Sequence, residues 1–191
     1  MGTAGTPLAG ERRSGDLSVC VPFDGGALVA AVDGLGHGEL AADAAAVAGE
    51  VLRATPGLDL PALLTSCHEA LRRTRGVVLT AVRFEPALAR MTWVGVGNVE
   101  GRLLRATEAP LESVMLHGGV LGFQLPQIRP TTAQLEPGDT VVLATDGIRA
   151  AFSRRLVRPA APPQVLAERL LAEEARGNDD ALVVVARFGA A

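Results

Sequence analysis

Four acidic positions in the sequence stand where an apolar run meets a turn. Asp16 precedes the first run, Asp33 ends the second, Asp146 follows a late one, and the pair Asp179-Asp180 precedes the last. Carboxylates brought together repel one another and raise each other's pKa unless cations neutralise them. Hard divalent ions such as Mg²⁺ or Mn²⁺ take oxygen ligands of this kind. If the flanking strands are neighbours, the four ends converge and imply a metal. Taken singly, each has a plainer explanation, because Asp-Gly is a common turn and Asp ahead of a helix is a common cap.

The most specific stretch runs from Asp33 through Gly34, Leu35, Gly36, His37 and Gly38 to Glu39. Three glycines at alternate positions between a strand and a helix let the backbone turn sharply and bring peptide oxygens close to a bound ion. The Asp-x-Gly-x-Gly signature of histidine-kinase-type ATPases needs glycines two and four places after the Asp. Leu35 and His37 stand there, which excludes that chemistry. The sequence also lacks a Cys-x5-Arg loop and a Ser/His/Asp motif, so no protein nucleophile is indicated. Cys20 and Cys67 lie in apolar surroundings without CxxC spacing, which predicts two buried free thiols in a reducing cytoplasm. His68 lies inside a helical pattern and reads as a packing or surface residue.

The elements that must position these groups follow from periodicity. Apolar runs at 17–21 and 27–32, separated by Asp24-Gly25-Gly26, predict an antiparallel hairpin. Leu40, Ala44, Val47 and Val51 recur at helical spacing over 39–53, and a second helix is expected over 61–75, ended by Gly76. Period-two segments at 77–84, 90–96 and 102–105, joined by short turns at Glu85-Pro86 and Gly97-Asn98, read as a meander. Further strands are expected at 128–133, 140–145 and 181–188, with a helix from Asp146-Gly147 through Phe152 and another over 163–176. Residues 158–163 form a Pro-rich connection. Strands interleaved with helical pairs predict an α+β fold, an α-β-β-α layered sandwich of two mostly antiparallel sheets flanked by helix pairs.

The composition supports one domain. The chain has 191 residues, 48% of them hydrophobic, and a formal net charge of −3. It contains no Lys, and its 18 Arg are scattered rather than gathered into a basic stripe, which argues against nucleic acid and anionic membranes as partners. No apolar stretch approaches the ~18 residues of a membrane span. Residues 1–10 lack the pattern of a secretory signal and are expected to be a frayed start, with a single catalytic domain over 11–188.

The pattern Asp-Gly-x-Gly-His-Gly resembles the metal-dependent protein phosphatases of the PPM (type 2C-like) family, in the bacterial branch of SpoIIE-like and RsbX-like enzymes, and is most like the RsbX type. Leu135 to Ile148 is similar to that branch's "L-x-P-G-D-x-hydrophobic-T-D-G" strand and turn. Asn178-Asp179-Asp180 and the following Val run resemble its "D-D-x-T-hydrophobic" strand, with Leu182 in place of Thr. Gly119-Val120-Leu121-Gly122 resembles the "P-L-G" segment between them. The resemblance covers residues 11–188.

It implies that Asp33 bridges two Mn²⁺ or Mg²⁺ ions and that the Gly34 carbonyl contributes to one. Asp146 and Asp179 would hold them from the other side, Asp16 would match the acidic residue of the first motif, and Asp180 would be a supporting or occasional ligand. Two metals about 3.5–4 Å apart bind and deprotonate a shared water and stabilise the transferring phosphoryl group. His37 is the candidate general acid toward the leaving seryl oxygen, or an orienting residue. It stands four positions past Asp33, whereas eukaryotic members carry His directly after Asp-Gly. The Arg that many members place five residues before the first-motif Asp is Glu11 here, beside Arg12 and Arg13, which leaves phosphate binding to the metals.

The expected function is a cytoplasmic protein serine/threonine phosphatase acting on phosphorylated STAS-domain or similar signalling proteins of a bacterial stressosome or partner-switching pathway. Two alternatives stay open: a catalytically silent phosphatase-like binding module, and a phosphatase for small phosphoesters. Substrate choice is expected to lie in the loops of residues 111–129.

Overall fold

The computed structural model describes residues 1–157 and 161–189; positions 158–160 of the Pro-rich connection lie outside the described residues. In chain order the strands and helices are β1 (Gly2–Thr6), β2 (Asp16–Phe23), β3 (Gly26–Gly34), α1 (Glu39–Ala54), α2 (Leu60–Leu71), β4 (Val77–Glu85), β5 (Arg90–Val96), β6 (Glu100–Leu104), β7 (Glu112–Ser113), β8 (Leu116–His117), β9 (Thr131–Gln134), β10 (Thr140–Ala144), α3 (Pro163–Glu174) and β11 (Ala181–Arg187). One sheet runs β2-β3-β4-β5-β8, with β9 also pairing β5. The other runs β1-β11-β10-β6-β7.

Alternation along the central strands assigns each residue to a layer. Leu28, Ala30 and Val32 of β3 pack under α1 and α2 with Leu52, Leu63, Leu64 and Leu71, whereas Val29 and Ala31 face the second sheet. In β11, Leu182, Val184 and Ala186 point inward to meet them, and Ala181, Val183 and Val185 point outward onto Leu166, Ala167 and Leu170 of α3. With side chains alternating faces every residue, each strand feeds two cores at once. The result is the expected sandwich of helix, sheet, sheet and helix. The outer layer over the second sheet is thinner than a helix pair. The segment after Asp146 forms a short 3₁₀ turn at Ala150–Arg155 rather than an α-helix, anchored by the buried Phe152.

Three expectations about the frame are corrected. The start is not frayed: β1 lies antiparallel to β11, and the Gln164 side chain clamps its backbone, accepting from Thr3 N–H and donating to Thr3 C=O, both at 3.0 Å. Small residues and glycines gave this strand no apolar signal. The meander also fails at its second turn. β4 and β5 pair, but after Gly97-Asn98 the chain leaves that sheet, and β6 pairs β10 of the other. Finally, Cys67 is buried and its thiol is pushed up to about 12 by desolvation, but Cys20 is exposed on β2.

The buried face of α1 is built from Ala41, Ala44, Ala45 and Ala48 with Leu52, while Leu40 is exposed. Methyl side chains let α1 sit so close to the sheet that a Cβ on Gly34 would overlap the Ala41 carbonyl oxygen. α2 begins with the Asp59 carboxylate accepting Ala62 N–H at 2.8 Å, with Pro61 in the first turn. No helix among the described residues is long and apolar enough to cross a membrane.

Candidate metal centre and active site

Asp16 and Asp33 are direct cross-strand partners in the β2–β3 ladder. Opposite residues of an antiparallel pair project to the same face, and two like charges there destabilise the sheet. By the alternation of β3, Asp33 shares the face of Val29 and Ala31, turned toward the second sheet. From that sheet come Asp146, just past β10, and Asp179, just before β11. Asp33, Asp146 and Asp179 line one open cleft of about 240 Å³, together with Gly36, Val78, Asn98 and Val120.

The electrostatics reflect uncompensated charge. Burial first, and then Asp16, Asp146, Asp179 and Asp180, push the Asp33 carboxyl up to about 8. Asp16 is pushed up to about 7 by burial and the neighbouring carboxylates, against the Thr145 hydroxyl, which donates to its Oδ2 at 2.7 Å. Asp146 is raised by burial and by Asp179, while Arg176 and the Asn98 amide, which donates to Oδ2 at 2.7 Å, act in the opposite sense. An all-oxygen set that resists ionising until a cation arrives fits Mg²⁺ or Mn²⁺. Among the described residues no three His, Cys, Asp or Glu side chains stand close enough to hold one ion; Asp33, Asp146 and Asp179 line the cleft, and Asp16 does not. Backbone oxygen and water would complete the shell of an ion held there. The Gly34 carbonyl is turned toward β2, where a Cβ on Gly15 would stand 3.2 Å from it.

The two neighbours in the acidic pair have different settings. Asp179 faces the cleft, and its Oδ1 also accepts the Asp180 N–H at 2.9 Å. Asp180 is 3% exposed, and its two oxygens accept Leu8 N–H and Gly15 N–H, each at 2.8 Å. It thereby fixes the entry into β2, just ahead of Asp16. His37 is exposed, does not line the cleft, and places Nδ1 2.7 Å from Glu11 Oε1. Gly36, at φ +85, carries the chain past the cleft before His37 is reached. His68 is buried, and its Nδ1 accepts Gly122 N–H at 3.0 Å, a packing role that anchors the 118–124 loop.

Asn98 was read only as a turn residue. Its amide reaches the cleft because the turn it occupies carries the chain between the sheets, and Gly97 N–H is held by the His117 carbonyl at 2.9 Å. The signal available in the sequence was the side-chain amide itself, a donor placed between two strands in a chain whose cleft is acidic.

A model of the family described as stage II sporulation protein E (SpoIIE) matches residues 24–189. The phosphoserine phosphatase RsbX of Bacillus subtilis (strain 168) is 24% identical over 139 residues, which cover 73% of this chain and 69% of that protein. A structure solved in work on the bacterial stressosome as a modular system adapted to control secondary messenger signalling superposes with a TM-score of 0.85 at 26% identity, covering 97% of both chains. RsbX crystallised with magnesium superposes with a TM-score of 0.85 at 20% identity, over 96% of this chain and 92% of that one, a likeness of fold. With the family match running over most of its length, the chain belongs to the SpoIIE family, in the SpoIIE/RsbX-like branch of the PPM phosphatases.

Proposed function

We infer that this chain is a metal-dependent protein serine/threonine phosphatase that acts on phosphorylated bacterial signalling proteins. The phosphatase class rests on family membership. The observation that carries the metal reading is the Asp16–Asp33 pair, two desolvated carboxylates opposed across a ladder and faced by Asp146 and Asp179.

In this reading Asp33 is the central ligand. Asp16 faces it from the neighbouring strand with the Thr145 hydroxyl fixing its orientation, and Asp146 is held toward the cleft by the Asn98 amide. Asp179 closes the set from β11, while Asp180 locks the start of β2 so that Asp16 is delivered in register. The Gly34 carbonyl is a further donor of the right hardness. We take the site to hold two ions; when bound, they supply charge that activates water and stabilises the phosphoryl oxygens during transfer. The side chains at the cleft hold and orient, and none is placed as a nucleophile toward phosphorus.

For substrate we propose phosphoserine or phosphothreonine on STAS-domain proteins of a stressosome or partner-switching pathway, in the cytoplasm. The similarity to RsbX and to a protein solved in stressosome work supports this. The test is Mn²⁺-dependent hydrolysis of p-nitrophenyl phosphate and of a serine-phosphorylated STAS-domain protein. Undiminished activity in Asp33→Asn or Asp146→Asn would overturn the metal reading, and hydrolysis of the small ester alone would point to small phosphoesters as substrates. Calorimetric Mn²⁺ binding without hydrolysis of either substrate would identify a binding module.

A further inference from the structure

Two features on the rim of the cleft are unused by the carboxylates. Beyond α2 the chain turns through Arg75 and Gly76 into β4, and Leu35 N–H donates to the Gly76 carbonyl at 3.1 Å. This bond ties the α2–β4 turn to the Asp33–Gly38 loop. The Arg75 side chain lies across Gly36, where a Cβ would stand 2.8 Å from Arg75 Nη1. Gly36 itself lines the cleft. Arg75 is exposed, and its guanidinium has no hydrogen-bond or ion-pair partner among the described residues. Arg72 is paired with Glu69 at 2.8 Å, and Arg13 with Glu39 and Asp43 at 2.7 and 2.8 Å, while Arg176 stands on the Asp146 side of the cleft. Glu11, with its carboxylate on His37, offers no cation.

The second feature is Phe123, 68% exposed on a loop that is otherwise pinned. Val77 and Leu121 exchange N–H···O=C bonds of 3.1 and 2.9 Å, and Gly122 N–H is held by His68. A Cβ on Gly76 would stand 2.9 Å from Phe123 Cδ2, so the ring sits beside the residue that follows Arg75. Val120 of the same loop lines the cleft. A large aromatic left in water on an anchored loop next to a reaction site is arranged for contact with a partner.

We propose that Arg75 and Phe123 form the substrate lip of the cleft: Arg75 takes the phosphoryl oxygens with its planar fork, and Phe123 takes an apolar side chain next to the phosphorylated residue. The occupant is a phosphoprotein segment carrying an apolar neighbour, since the lip joins the Arg75 cation to an exposed ring beside Gly76. The proposal rests on the phosphatase reading and names how its substrate is gripped. A guanidinium matches phosphate geometry with two parallel hydrogen bonds, which a carboxylate-lined floor cannot offer to a dianion.

The experiment uses Mn²⁺-loaded full-length protein. Arg75→Ala is expected to raise KM for p-nitrophenyl phosphate and Ki for inorganic phosphate about tenfold or more, with Mn²⁺ affinity unchanged and partial recovery in Arg75→Lys. Arg53→Ala, which removes the same charge about 20 Å along α1 from the cleft, is expected to change neither constant. Wild type is expected to favour a phosphoserine peptide with a flanking Leu over the same peptide with Gly by several-fold in kcat/KM. Phe123→Ala should erase that preference. Unchanged KM and Ki in Arg75→Ala overturn the role of Arg75, and a wild type indifferent to the flanking residue overturns that of Phe123. Calorimetry with inorganic phosphate reads the Arg75 contact without turnover. An inactive wild type that binds phosphate only while Arg75 is present overturns the phosphatase reading but keeps the grip, whereas one that neither hydrolyses nor binds phosphate overturns both.

Discussion

Asp33 and Asp139 are carboxylates at opposite ends of the same sandwich. Asp139 precedes β10 and is 2% exposed, yet it is fully engaged: Arg105 Nη1 donates to it at 2.9 Å, and the backbone N–H groups of Ala106 and Glu136 donate at 2.8 and 3.0 Å. Asp33 is half-buried opposite Asp16, with no cation paired to it among the described residues, and is pushed up to about 8. The neighbouring mouth at the Asp139 end is apolar, lined by Ala27, Val29, Phe84 and Phe188. One end of the sheets therefore satisfies its charge within the chain, and the other leaves charge for something brought in. A buried carboxylate with no partner costs stability that folding alone does not repay, which is why the two ends have different uses.

The largest effect that would break this contrast is on activity. Asp33→Asn is expected to lower Mn²⁺-dependent hydrolysis about a thousandfold, as befits several kcal/mol of lost charge stabilisation, while the metal-free protein melts at or above the wild-type temperature. Asp139→Ala should do the reverse. It would lose about 3 kcal/mol in urea unfolding by leaving two backbone donors without their acceptor and taking one carboxylate from Arg105, which keeps Glu112, with kcat per folded molecule retained.

The pH dependence carries a sign. Asp16 and Asp33 have folded-state values of about 7 and 8, above the ordinary 3.8. Between those limits the folded chain binds more protons than the unfolded one, so stability falls as pH rises. Melting temperatures in EDTA should therefore decline from pH 5 to pH 8. Saturating Mn²⁺, which favours the ionised carboxylates, should flatten or reverse the trend, and a rising trend in EDTA would contradict the burial of the pair. Asn98→Ala should weaken Mn²⁺ binding about 10-fold to 100-fold by freeing Asp146, as measured by calorimetric titration. The smallest change is expected for His37→Ala, within about threefold in kcat, because the imidazole faces Glu11; at most ~0.7 kcal/mol is at stake. A loss beyond a hundredfold would restore His37 as the general acid.

Much of this was legible in the sequence because it depends on local spacing. The apolar runs that become β3, β10 and β11 and the Asp33–Gly38 turn are written within a few residues of one another. What was not legible depends on which surface a segment meets. A period-two strand reads the same in either sheet, so the crossing at Gly97-Asn98 and the arrival of Asn98 beside Asp146 are invisible to periodicity. The pair Asp179-Asp180 reads as two equal carboxylates, and only the strand start at Ala181 turns one to the cleft and the other to Leu8 and Gly15. Of the helically spaced Leu40, Ala44, Val47 and Val51, only Leu40 stands outside the core, and Ala41 is buried in its stead because close approach to Gly34 selects the smaller residue. Cys20 fell to the same ambiguity, its strand being covered on only one side.

The clamp of Gln164 on Thr3 has a consequence for how the molecule behaves in a crowd. β1 is the last strand of its sheet, and an open border of that kind recruits strands from other chains. A single amide, giving one hydrogen and taking one, imitates the strand that would otherwise dock there and fills its place with a side chain rooted in α3. At Thr3 the border is closed from within, which takes that residue's N–H and C=O away from any strand that would dock there.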